Sequence, residues 1–411
     1  MNTLFLGLMY NISKEDELIK ENPIGIGIAS NILQHNIVKS IFERDNIKIS
    51  GITSLPVGNF PKLSKKIYYA SNNYKIFNSV KINEISTINF FIIKHLIRKI
   101  NLKKEFQCWY QQNEKSNNKT IIIYDLYEPF LTIGIWVKNK YPDVKVILVI
   151  PDLVGKLRNK SNSLFFIQAI LNYKSEGILN KANSFDGYIL LSEGMKKQIN
   201  IKNKPYLIIN GLVDEEDTTK KLNFNQNKRI FLYSGSLNSQ YHVDKMVNEF
   251  LENKNFDREL WLCGSGELAE SIKNIANENI NIKYFGLVTK KTARKLEHKA
   301  DVLINPRPNN GLYTQYSFPS KNLEFLLSGK PVVCYKLDSF GTKFDGIFDY
   351  IDPKLSLPFD NIYNKYSNMS VKELEKIGDK NREFVIANFD VKVHGENIDN
   401  LIQAIWKNSV I

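Results

Sequence analysis

The chain has 411 residues, 43% of them hydrophobic and 24% charged, with a formal net charge of +13. That length exceeds one ordinary core and predicts two domains of a folded, water-exposed protein. The three cysteines (Cys108, Cys263, Cys334) form neither a disulfide framework nor a metal spacing, and read as buried free thiols in a reducing compartment. The five histidines form no HxxxH or HExxH pattern, so no metal site is expected. No apolar run approaches the roughly 18 residues of a spanning helix, and the N-terminus lacks a basic leader. A cytoplasmic protein is expected. The charge is lopsided. Residues 1–205 hold 29 Lys+Arg against 16 Asp+Glu, while residues 206–411 hold 27 of each. The first half therefore suits an anionic partner.

In chain order, short apolar runs alternate with longer helical patterns. Strands are expected at Leu4–Met9, Ile47–Thr53, Thr120–Tyr124, Val144–Ile150, Gly187–Leu191 and Tyr206–Ile209. After a polar segment at 209–228 they resume at Arg229–Tyr233, Glu259–Cys263, Ile282–Phe285, Val302–Asn305 and Val332–Tyr335. Continuous Val/Ile/Leu runs suit strands buried on both faces of a parallel sheet. Repeated strand–helix units imply doubly wound α/β layers. The boundaries read as a first domain at 1–208, a linker at 209–228 and a second domain at 229–388. A last amphipathic helix, 389–411, would pack back on the first domain.

Two strands of the second half run into glycine turns, "FLYSGSLNS" and "LWLCGSGEL", placing Gly235, Ser236 and Gly264 at strand ends. Glycine there lets backbone approach an anion closely. The stretch "SFPSKNLEFLLSGKPVV" (317–333) adds a helix mouth with Ser317, Pro319, Ser320 and Lys321, and with Glu324 one turn on. A hydroxyl and a cation suit phosphate oxygens, and a carboxylate one turn away suits ribose hydroxyls. Ordinary capping explains each residue singly, but not this helix following a strand that ends in Asn305-Pro306-Arg307.

That stretch resembles the donor-binding signature of GT-B glycosyltransferases, especially the family-4 type. "YSGSLNSQYHVDKMVNEF", "LWLCGSGEL", "IKYFGLV" and "ADVLINPRP" stand in the order of that family's C-terminal domain. The resemblance covers residues 229–335 and extends to the first half in architecture. It implies an α/β fold of GT-B architecture, two doubly wound Rossmann-like domains facing a central cleft. It implies a nucleotide-diphosphate sugar donor, UDP favoured over GDP, no metal, and retention of anomeric configuration. On this pattern Gly286, Leu287 and Val288 lie at the base. Lys321 and the 317–320 turn would hold the phosphates, and Glu324 would bind ribose; Arg307, which is not part of that pattern, is a candidate to carry diphosphate charge with Lys321. Three positions depart from it. Ser236 and Tyr241 stand where the family often has a basic pair, and Tyr316 where many members have Glu.

In the first half, "VKVILVIPDLVGKLRNK" resembles the family strand that ends in a His-Asp pair. Pro151 replaces the histidine, and Asp152 is the catalytic-side candidate. Asp125 and Glu128 end another strand, and Gly25 and Gly27 suit a close backbone approach. From Lys48 to Lys104 there are 11 basic residues and one acidic. Two basic-apolar stretches, 85–104 and 155–174, suit an anionic bilayer surface. No nucleic-acid motif accompanies the charge. The resulting expectation is transfer of a sugar to a lipid-linked glycan at the inner membrane face, for a cell-surface polysaccharide. A sugar-nucleotide epimerase and a non-catalytic partner of the same fold are the alternatives.

Overall fold

The computed structural model describes residues 1–22, 26–152, 176–217, 223–252, 257–310, 314, 316 and 318–407. The chain divides into a unit of residues 1–212, 315–318 and 391–411, and a second of residues 213–314 and 319–390.

The first unit holds strands β1 (Asn2–Gly7), β2 (Lys48–Thr53), β3 (Tyr68–Tyr69), β4 (Asn72–Ile76), β5 (Val80–Glu84), β6 (Thr87–Ile88), β7 (Lys119–Tyr124), β8 (Val144–Ile150), β9 (Gly187–Leu190) and β10 (Tyr206–Ile208). Eight of them form one sheet, ordered β10-β9-β8-β7-β1-β2-β5-β4, parallel except for β4. β3 and β6 pair separately. The central strands are apolar on both faces: every residue of β7 is buried. Covering helices are α1 (Glu15–Glu21), α2 (Ile28–Phe42), α3 (Phe91–Gln112), α4 (Glu128–Lys140) and α5 (Glu193–Lys196).

The second unit holds β11 (Arg229–Ser234), β12 (Arg258–Cys263), β13 (Ile282–Tyr284), β14 (Val302–Asn305), β15 (Val332–Cys334) and β16 (Asp349–Tyr350) in the parallel order β13-β12-β11-β14-β15-β16. Its helices are α6 (Val243–Glu252), α7 (Ala269–Glu278), α8 (Lys290–Lys299), α9 (Lys321–Leu327), α10 (Pro358–Ser367) and α11 (Val371–Phe389). α11 opens on a capping box between Ser370 and Glu373. A last helix, α12 (Val391–Lys407), lies against α2 of the first unit, and Ile398, Leu401, Ile402 and Ile405 are buried there.

Four features differ from expectation. β4 and β5 form an edge hairpin whose strands are rich in Asn and Lys. One face of that edge is exposed, so no apolar run marks it. Second, the segment expected as a linker is partly anchored. Lys330, fully buried, donates to the Asn223 carbonyl and lies 4.0 Å from the Phe224 ring centroid. Third, Cys108 is exposed, while Cys263 and Cys334 are buried.

The fourth concerns the basic stretch in α3, which is turned inside out. Lys94 and Arg98 are buried, whereas Ile93, Leu96 and Ile100 are 46%, 60% and 58% exposed. Lys94 donates to the Val57 carbonyl. Arg98 donates to the Leu55 carbonyl (2.6 Å) and to the Tyr127 hydroxyl (2.7 Å). Part of the positive excess thus satisfies loop carbonyls inside the unit rather than facing solvent. The other basic stretch, 155–174, lies wholly outside the described residues, as does Gly25.

Candidate functional site

Three strands of the second unit end in adjoining backbone turns. The Gly235 N–H donates to the Cys263 carbonyl (3.0 Å), and the Gly264 N–H to the Gly286 carbonyl (2.8 Å). Leu237 then bonds to Ser265, tying the first two turns again. Gly264 has φ +139°, and a Cβ there would stand 1.8 Å from the Gly235 carbonyl oxygen. Only glycine fits such an approach. The hydroxyl of Tyr233 donates to the Ser236 carbonyl (2.8 Å), and that of Tyr284 to the Gly264 carbonyl (2.9 Å). These two tyrosines fix the turns from below. Leu287, beyond β13, is 49% exposed, and Val288 is half-buried.

The cationic side is built from β14 and α9. Asn305, the last residue of β14, donates to Asn322 Oδ1 at 2.6 Å, so the strand end holds the first turn of α9. Leu323, Phe325, Leu326 and Leu327 are buried and anchor that helix. Gly329, at φ +71°, closes it. Ser320 already has helical dihedrals, and its side chain makes no capping bond. Capping therefore does not explain it. Arg307 is half-buried, and Pro319 precedes Ser320 directly. Burial pushes the Tyr233 hydroxyl up, while the Arg307 and Lys321 cations pull it down. Both cations thus act on the phenol that braces the first glycine turn.

Lys321 is not a free cation. Its ammonium lies 2.7 Å from Glu297 Oε1 and 3.0 Å from Glu324 Oε2. Burial opposes its charge, but the two carboxylates outweigh burial and hold its pKa above the ordinary lysine value. Burial likewise pushes Glu324 up, and Lys321, Lys290 and Arg294 outweigh it, so Glu324 stays ionised. The pair is therefore more than the solvent-exposed Lys–Glu contact that capping would give. Glu297, only 2% exposed at its side chain, is a member that sequence reasoning missed. The signal was present: Ala293, Leu296 and Glu297 share the buried face of the otherwise basic α8.

The first-unit candidates are placed separately. Asp152 is exposed just beyond β8, and its charge acts on the buried Tyr124 hydroxyl. Tyr124 in turn accepts from Ser30 on α2 (3.2 Å). Gly27, at φ +68°, starts α2. Asp125 has φ +77°, and its Oδ1 accepts from the Leu126 N–H. Glu128 is occupied by Lys99 (2.8 Å), Lys181 (3.1 Å) and Thr132. Burial would raise its pKa, but those partners pull it down to about 2. It reads as a structural anchor. Tyr316 belongs to this unit, its hydroxyl accepting from Gln198 (3.0 Å), and Ser317 lies outside the described residues. Sequence reasoning also missed α2's amide side chains. Gln34 accepts from the Leu8 N–H (2.8 Å) and donates to the Leu8 carbonyl (3.0 Å), and Asn31 accepts from the Tyr10 N–H. No group of His, Cys, Asp or Glu among the described residues is arranged to hold a metal.

Residues 214–342 match the family model described as glycosyl transferases group 1. No curated protein sequence matches the chain significantly. Among solved structures, it resembles sucrose-phosphate synthase from Thermosynechococcus elongatus, with TM-score 0.66 and 12% identity over 99% of this chain and 100% of that one. It resembles an S. aureus TarM variant solved with fondaparinux, α-GlcNAc-glycerol and UDP, with TM-score 0.57 and 13% identity over 98% and 100%. It also resembles WaaG, a glycosyltransferase involved in lipopolysaccharide biosynthesis, with TM-score 0.57 and 12% identity over 97% and 99%. The glycine turns, the matched segment and the shared architecture lead to one conclusion: the chain has the fold of the GT-B glycosyltransferases, and the segment that matches the group 1 model lies almost wholly in the second unit.

Proposed function

We propose that the second unit binds a nucleoside-diphosphate sugar, with UDP favoured over GDP, and that the protein passes the sugar with retention to a lipid-linked glycan. The observation that carries the donor reading is the pair of glycine turns stitched backbone to backbone, with Gly264 pressed against the Gly235 carbonyl, in the same unit as the Lys321–Glu324 pair that opens α9. In this reading Gly235, Ser236, Gly264 and Ser320 offer backbone and hydroxyl donors to the diphosphate. Arg307 and Lys321 neutralise it. Glu324 accepts from ribose, and Leu287 and Val288 lie under the base. Negative charge grows on the leaving diphosphate as the glycosidic bond breaks, and fixed dipoles and cations stabilise it most there. Asp152 is the catalytic-side candidate, and Tyr316 is a donor-binding candidate from the family resemblance.

UDP is supported by the nucleotide bound to the TarM variant. Cell-surface polysaccharide assembly is supported by the described role of WaaG. Peripheral attachment to the inner membrane face is supported by α3, whose exposed Ile93, Leu96 and Ile100 are followed by exposed Lys103 and Lys104. No described helix is long and apolar enough to cross a membrane. A thermal-shift panel of UDP-, GDP- and ADP-sugars tests the donor. A ligand at 100 times its dissociation constant adds about 2.7 kcal/mol. UDP-sugars should raise the melting temperature most, and a larger shift with GDP-sugars would overturn the choice of base.

A further inference from the structure

A cavity of about 540 Å³ lies at the N-terminal ends of β1, β2 and β5 in the first unit. In α/β units the substrates bind at the other ends of the strands. Asn2 opens β1, Lys48 opens β2, and Lys81 is the second residue of β5. The last residues of α2 and α3, Phe42 and Gln112, also line the cavity, as does Trp109 of α3.

Its charges are unbalanced. Arg44, Lys48 and Lys81 stand in the lining with one acid, Asp45. Arg44 is held by Asp399 at 3.6 Å. Lys48 and Lys81 are exposed, and neither ammonium has an ion-pair or hydrogen-bond partner among the described residues. Lys81 is also paired directly opposite Lys75 across the β4–β5 hairpin, and like charges so placed destabilise. Trp109 is 7% exposed, and its indole N–H has no acceptor among the described residues. The C-terminal ends of α2 and α3 oppose an anion here with about half a negative charge each, less than the two lysines supply. The unused groups are mostly donors, so a ligand must bring negative charge and acceptor oxygens. A phosphomonoester carries about −1.5 to −2 at pH 7 and matches an excess of three cations over one acid. The remaining wall is apolar, with Ile47, Ile49, Val80 and the 36% exposed Phe42. That wall, and a volume within the roughly 300–1,000 Å³ of small-molecule sites, suit a ring beside the phosphate rather than a bare ion.

We infer that this cavity binds a small phosphomonoester carrying a ring, with its phosphate between Lys48 and Lys81 and its ring against Trp109 and Phe42. The site stands independently of the donor reading. The test is calorimetric titration of the full chain, with saturating UDP present to keep the probes from the glycine turns of the second unit. The probes are phenyl phosphate, glucose 6-phosphate, inorganic phosphate, and phosphatidylcholine vesicles containing phosphatidic acid. One of the two soluble esters should bind at least tenfold more tightly than inorganic phosphate. Lys48→Ala/Lys81→Ala should cut that binding at least tenfold. With the Lys75–Lys81 repulsion gone, this variant should melt no lower than the wild type. Lys48→Arg/Lys81→Arg should retain binding. Lysines that serve only to offset the helix ends would give a lower-melting alanine variant and no bound probe, which overturns the inference. So does ester binding unchanged in the alanine variant, or inorganic phosphate binding as tightly as either ester. Binding confined to the phosphatidic acid vesicles and lost in the alanine variant makes a lipid headgroup the source of the phosphate and overturns the soluble ligand.

Discussion

The two units fasten the loops at their strand ends by different means. In the second, the turns after β11, β12 and β13 are joined backbone to backbone, with Gly264 pressed against the Gly235 carbonyl. In the first, side chains from helices do the fastening. Gln34 and Asn31 of α2 grip the segment leaving β1, while Lys94 and Arg98 of α3 bond to the loop leaving β2. Backbone packing leaves N–H groups close to the surface and suits an anion that is much the same in every donor. Side-chain fastening leaves room to vary the loops, which suits an acceptor that differs from one enzyme to the next.

The sharpest way to break this contrast is at Gly264. Gly264→Ala sets a Cβ against backbone at 1.8 Å, so something must shift. The expected result is loss of nucleotide binding and destabilisation beyond the about 1–3 kcal/mol of ordinary backbone strain, read by urea unfolding. Gly286→Ala has a positive φ but nothing within 4 Å, and should cost only about 1–2 kcal/mol. Equal effects of the two would contradict the stitched-turn account.

Next in size is Lys321. Lys321→Met leaves the buried Glu297 without its cation, a loss of up to about 3–5 kcal/mol. Adding Glu297→Gln should restore much of that stability while diphosphate affinity stays low. If affinity returns with stability, Lys321 serves the fold and not the ligand. Glu324→Ala should weaken UDP about tenfold, the worth of one hydrogen bond to a charged group. Unchanged affinity in calorimetry would remove the ribose assignment.

The first unit should show a pH signature. Burial and the neighbouring Arg98 lower Lys94 to about 7. The folded state therefore releases this proton at lower pH than the unfolded chain does. Between about pH 7 and 10 the unfolded state binds more protons, so stability should rise with pH across that window and gain nothing from this group below it. Lys330, lowered to about 8, adds in the same direction from the second unit. Denaturant melts of Lys94→Met should show a flatter rise, and an unchanged slope would refute the burial account. The smallest effect belongs to α3's outer face. Leu96→Ser should leave stability nearly unchanged and reduce binding to anionic vesicles, and equal vesicle binding would remove the membrane proposal.

The same contrast explains what was legible in the sequence. Gly235, Gly264 and the Ser320–Glu324 stretch could be read because backbone turns require particular residues at particular spacings. Apolar runs located most central strands to within a residue or two, from Asn2–Gly7 to Val332–Cys334. The hairpin of β4 and β5 escaped because an edge strand exposes one face and carries Asn and Lys there. Glu297 and Asn322 escaped because their partners, Lys321 and Asn305, lie 24 and 17 positions away and meet only on folding. Lys94 and Arg98 were read as surface charge, since sequence does not say which face of an amphipathic helix turns inward when loop carbonyls need donors.

The central claim is that the second unit recognises a diphosphate. Calorimetric titration of UDP and of uridine into the wild type and the Glu297→Gln/Lys321→Met pair tests it most directly. The account predicts that UDP binds the wild type at least tenfold more tightly than uridine does, and that the double variant loses most of that difference while keeping its fold. Equal affinity of UDP and uridine for the wild type, or a difference that survives in the double variant, would contradict it.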